Sequence, residues 1–101
     1  MKALHLTLKK KWFDMIASGE KKEEYREIKP YWEKRLQLME FNGLKIQLRK
    51  FGVIVFKNGY SKNAPTITVK CEGITIGKAK PEWSDNWQGD VFVIKLGDIV
   101  K

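Results

Sequence analysis

The chain is poor in the residues that build covalent or metallic scaffolds: it has one cysteine, Cys71, and one histidine, His5. One cysteine excludes an internal disulfide, and the pair falls short of the several N and S ligands of a zinc cluster. No metal site is therefore expected. There is also no phosphate loop, nucleophile elbow or paired-cysteine motif, and no cofactor is expected. The lack of cysteine pairs points to a reducing compartment, so a cytoplasmic location is expected. No apolar run is long enough to span a bilayer, and Met1 to Leu8 alternates where a signal peptide would be continuously apolar. A membrane partner is not expected. Repeats, low-complexity tracts and linkers are missing too, so 1–101 reads as a single domain.

What the chain has in excess is positive charge. Twenty Lys and Arg face 12 Asp and Glu, a formal net charge of +8, while 43% of the residues are hydrophobic. The apolar share is enough for a core. The charge favours anionic partners: nucleic acid, nucleotides or an acidic membrane face.

Periodicity places two helices early and strands around them. Leu4, Leu6 and Leu8 alternate and read as a half-buried strand. Lys9 to Ser18 reads as a helix with Trp12, Met15 and Ile16 on one face and Gly19 as its stop. Pro30 opens a second helix through about Met39, ended by Asn42-Gly43. Val53 to Phe56 reads as a strand, and Asn58-Gly59 as a hairpin signal. Thr66 to Cys71 alternates, with Ile67, Val69 and Cys71 inward. Gly73 to Gly77 is extended or bent, Pro81 to Gly89 is a tryptophan-bearing loop, and Val91 to Leu96 is a last strand. The expected class is mainly β with two helices (α+β), arranged as a small barrel. Trp12, Ile16, Val53, Val55, Ile67, Val69, Phe92 and Ile94 are expected to be buried.

The stretch Gly19-Glu20-Lys21-Lys22-Glu23-Glu24-Tyr25-Arg26 carries the chemistry. In extended form Glu24 and Arg26 share a face, Tyr25 lies opposite, and Lys21 sits where the chain leaves the helix. Arginine grips a phosphate or carboxylate with a planar fork and lysine adds a point charge. Glu24 can orient either cation, accept from a base edge, or act as a base. Mixed charges on an edge strand also serve simply to discourage aggregation.

Gly19, Lys21, Glu24 and Arg26 fit G-x-K-x-x-E-x-R, and through this motif and its place after the first helix the chain resembles the ASCH family. The resemblance runs over most of the chain. It implies a PUA-like β-barrel with a ligand cleft beside the first helix, lined by the motif, and RNA or a modified nucleoside or nucleotide as partner. It also implies a second activity, since some small bacterial members resemble amidohydrolases acting on acylated (N4-acetyl) cytidine. Lys21 matches their catalytic lysine, but their nucleophilic threonine is replaced here by Glu24, which would have to act on water as a base. Their later acidic residue corresponds to Glu72 or Glu82.

Lys9, Lys10 and Lys11 open the first helix and oppose its macrodipole. They read either as a phosphate-attracting patch or as ordinary surface charge. Trp12 and Trp32 read as core. Trp83 and Trp87 read as a stacking platform for a base or as a plug for the barrel. His5 reads as surface and Cys71 as a buried inert thiol. The expected ligand-binding set is Lys21, Glu24, Tyr25, Arg26, Trp83 and Trp87, with Lys21 and Glu24 catalytic if the protein is an enzyme. A non-catalytic protein-interaction domain is the third reading.

Overall fold

Leucine at every second position gives Ala3–Leu8 (β1) one buried face, made of Leu4, Leu6 and Leu8. The computed structural model describes residues 2–39, 46–85 and 87–101. Helix Lys10–Ala17 (α1) follows at once and turns Trp12, Phe13 and Ile16 into the same core. Its start is uncapped by any side chain and carries no acidic residue. Its end is well specified: Gly19 sits at φ 87°, its N–H reaches the Ile16 carbonyl at 3.0 Å, and the Lys21 N–H reaches the Met15 carbonyl at 3.0 Å. Glycine meets this left-handed position without a Cβ penalty.

The chain then extends as Glu23–Glu27 (β2) and turns into Pro30–Leu36 (α2), with proline at its first position. This helix is shorter than its apolar periodicity suggests. Gln37 leaves it, and Gln37–Met39 (β3) pairs antiparallel with Ile46–Leu48 (β4). The Arg49 N–H takes the Leu36 carbonyl at 2.8 Å, so a hairpin claims the chain that a further turn would have used. Asn42-Gly43 lies outside the described residues.

Val53–Asn58 (β5), Thr66–Lys78 (β6) and Asp90–Ile99 (β7) complete the main sheet, with a 3-10 turn, Pro81–Trp83, before β7. The five strands run β1-β5-β6-β7-β2, with β1 parallel to β5 and every other pair antiparallel. The sheet curls strongly into a half-barrel. Part of the curl comes from β6, whose register against β7 shifts between Val69 and Cys71 and again between Cys71 and Gly73. Such bulges bend a strand and increase its twist. Thr66 to Cys71 and Gly73 to Gly77 are therefore one strand. Asn58-Gly59 is not a two-residue turn, because β6 begins only at Thr66.

Trp12, Ile16, Val69, Phe92 and Ile94 are buried, and Ile67 packs half-buried against them. The inward face of β5 is the opposite of the expected one. Ile54 and Phe56 are fully buried and Val53 and Val55 only partly so. An all-apolar run carries no polar phase marker, so its sequence does not choose a face. Pairing does, by setting Ile54 beside Leu4 and Phe56 beside Leu6. Among the described residues no helix is long and apolar enough to cross a membrane.

Candidate functional site

The curl brings the two ends of the sheet toward each other, because β1 and β2 are its edge strands. A cleft of about 600 Å³ opens between them. One wall is His5 to Leu8 of β1 and the other is Glu24 to Glu27 of β2. Trp12 of α1, Tyr31 and Trp32 of α2, and Trp83 and Trp87 of the loop before β7 supply aromatic surface around it. Ligand cavities of small molecules fall in this range of volume and are mostly apolar with a few placed polar groups.

Along its β2 wall and behind it runs a chain of three charges, Arg26 and Glu24 on the cleft and Lys21 beneath them. Lys21 is 1% exposed and Glu24 5%. The Lys21 Nζ donates to Glu24 Oε1 at 2.6 Å and to the Glu23 carbonyl. It also stands 4.9 Å from the Tyr25 ring and 5.5 Å from the Trp12 ring, within cation–π range. Arg26 Nη1 donates to the other oxygen, Glu24 Oε2, and to the Tyr25 carbonyl at 2.6 Å. Its Nη2 reaches across to the Thr7 carbonyl at 3.4 Å, and its guanidinium lies 5.2 Å from the Trp32 ring. Burial pulls the Lys21 ammonium below its ordinary pKa of 10.5, against the opposing pull of Glu24. A carboxylate offers about four lone-pair positions, so Glu24 can still accept from a ligand.

Tyr25 points the other way, as period two requires. It forms a second small core with Val91 and Val93, against which Ala79, Trp83 and Trp87 pack. Its Oη donates to Glu23 Oε1 at 2.7 Å and accepts from the Lys80 N–H at 3.2 Å. Burial, then the bond to Glu23, pushes its phenol well above the usual range. The tryptophan loop is thus anchored on β2, with the Trp87 ring edge-on to Tyr25 at 6.4 Å.

The singled-out residues separate by depth. Glu24, Tyr25, Arg26, Trp83 and Trp87 line the cleft, whereas Lys21 lies behind Glu24 and does not. Lys9 stands at the rim, 3.9 Å from Asp85. Lys10 pairs with Asp14 at 2.5 Å, and Lys11 lies 4.6 Å from the Trp12 ring; neither lines the cleft. Glu72 packs against Gly97 and Glu82 is exposed on the 3-10 turn, and neither reaches the cleft. Cys71 is half-buried, and burial raises its thiol pKa. The lining carries both signs, Lys9 and Arg26 against Glu24, Glu27 and Asp85.

His5, Thr7, Trp12, Trp32 and the exposed Tyr60 also line the cleft and were not expected there. For β1 no local signal exists, because its outer edge becomes a wall only when the sheet curls. Trp12 and Trp32 do belong to the core, but each also shows part of its ring to the cleft. Comparison of the chain with protein-family models, with curated proteins and with solved structures finds no match in any of the three.

Proposed function

We propose that the chain is an RNA- or nucleotide-binding module of the ASCH kind, in which the half-barrel is a PUA-like barrel and the cleft takes a nucleobase. The supporting observation is the Glu24–Arg26 pair lining an aromatic-walled cleft, with Lys21 bonded to Glu24 from behind. Aromatic walls suit the flat face of a base, and a carboxylate beside a guanidinium suits its donor and acceptor edge. The mixed charge of the lining favours the base over the phosphate as occupant. The phosphate falls to the surplus cations outside, Lys9 at the rim and Lys10 and Lys11 beyond it.

Tryptophan fluorescence tests this reading. Short single-stranded RNAs and 5′-ribonucleotides are titrated at two salt concentrations. Saturable binding is expected, with RNA affinity falling as salt rises. Absence of binding at low salt, or RNA binding indifferent to salt, would overturn it.

A second reading, hydrolysis of an acylated cytidine, draws on one observation: a lysine with a depressed pKa touches a carboxylate that lines the cleft. Here Glu24 would release one of its two cations, accept a proton from the water that attacks the acyl carbon, and return that proton to the amine nitrogen as the acyl C–N bond breaks. The buried position of Lys21 and the distance of Glu72 and Glu82 from the cleft weigh against it. Incubation with N4-acetylcytidine decides between the two, since this reading requires cytidine to appear and the first does not.

A further inference from the structure

The walls of the cleft are the unpaired edges of a sheet, and the direction of their main-chain groups can be traced. The carbonyls of Lys2, just before β1, and of Leu8, at its end, accept from Gly52 and Gly59 on the β5 side, each at 3.0 Å. Successive residues of a strand turn their main-chain groups to opposite sides, so Thr7 faces away from β5. The reach of Arg26 Nη2 to the Thr7 carbonyl agrees. The carbonyl of Lys22, just before β2, accepts from the Leu96 N–H at 3.0 Å, which turns Lys22, Glu24 and Arg26 toward β7. Tyr25 therefore faces away from β7, and its carbonyl accepts from Arg26.

Thr7 N–H and Tyr25 N–H thus look into the seam from opposite sides, and neither has a hydrogen-bond partner among the described residues. Tyr25 is buried and Thr7 half-buried. Both residues line the cleft, so an unpaired amide of either is satisfied there by water or by an acceptor on a ligand.

We infer that these two amides read the edge of the bound base, donating to a ring nitrogen or carbonyl oxygen, while Glu24 takes an exocyclic amine. This rests on the cleft being a nucleobase pocket. A flat heterocycle is the better occupant than an added peptide strand. Trp12, Trp32, Trp83 and Trp87 line the cleft and offer ring faces on which a base can stack, surface that a peptide strand would leave unused. Discrimination then lies largely in the main chain, which side-chain substitution cannot erase.

Proline at position 7 removes the amide without breaking the ladder to β5, the setting in which edge strands tolerate it. The ¹⁵N-labelled full chain is titrated with each of the four ribonucleoside 5′-monophosphates. For the nucleotide that binds, the Thr7 and Tyr25 amide protons should move downfield and exchange more slowly. Thr7→Pro should bind it at least about tenfold more weakly than Thr7→Val, roughly the scale of one hydrogen bond. Binding that leaves both amides unmoved, or a folded Thr7→Pro that binds as Thr7→Val does, would overturn this inference while leaving the pocket intact. Absence of binding by all four would overturn the pocket and the inference together. Protection of both amides by an extended peptide instead would overturn it in favour of strand addition. Should Thr7→Pro fail to fold, the amide shifts of the unsubstituted chain decide.

Discussion

Lys21 holds its charge in a place where water barely reaches, with its ammonium divided between Glu24, a main-chain carbonyl and two aromatic rings. Glu24 is what makes that burial tolerable. Glu24→Ala should therefore cost about 3–5 kcal/mol, the range for breaking a buried pair, and not merely loosen the cleft. The double variant Lys21→Met with Glu24→Leu removes both charges and should recover much of that loss while binding a nucleotide more weakly than the unsubstituted chain. Urea melts and fluorescence titration of the two variants check this; a double variant that binds normally would show the pair to be purely structural. The pH dependence follows from the direction of the Lys21 shift. Its folded pKa lies below 10.5, so between the two values the unfolded chain binds more protons and stability rises with pH. Tyr25, shifted upward, has the reverse effect, and stability falls as pH rises above 10.0. Lys21→Met should flatten the first slope and Tyr25→Phe the second in melts across the alkaline range.

At the scale of elements, the strand register is the feature most open to test. Phe56→Ala should cost about 3–5 kcal/mol, whereas Val55→Ala, on the half-exposed face, should cost about 1 kcal/mol or less. A larger loss at Val55 than at Phe56 in denaturant melts would mean that β5 faces the other way. Gly19→Ala should cost about 1–2 kcal/mol through backbone strain alone, since its φ is 87° and nothing lies within 4 Å of the added Cβ. The extended form of the charged segment, the inward face of β1 and the glycine stop of α1 were all legible, because each is written in local period and local chemistry. The face of β5 was not, because a uniformly apolar run has no phase. The end of α2 was not, because β4 competes for the same residues. The contribution of β1 to the cleft depends on curl, which pairing and bulges in β6 create far along the chain.

For the molecule as a whole, a net charge of +8 surrounds a cleft whose own lining is mixed in sign. Attraction and recognition should therefore separate. Neutralising Lys10 and Lys11 to Gln should weaken all single-stranded RNAs alike and flatten the dependence of affinity on salt, with mononucleotide preference kept. Arg26→Lys keeps the charge, loses the fork, and should weaken the preferred nucleotide by about 1–3 kcal/mol in calorimetry. The most direct measurement is where a bound nucleotide sits. Nuclear Overhauser contacts from the base protons of a bound 5′-ribonucleotide should reach the indole protons of Trp83 or Trp87 and the side chain of Arg26. Contacts confined to Lys10, Lys11 and the outer surface of α1, with none inside the cleft, would contradict the account.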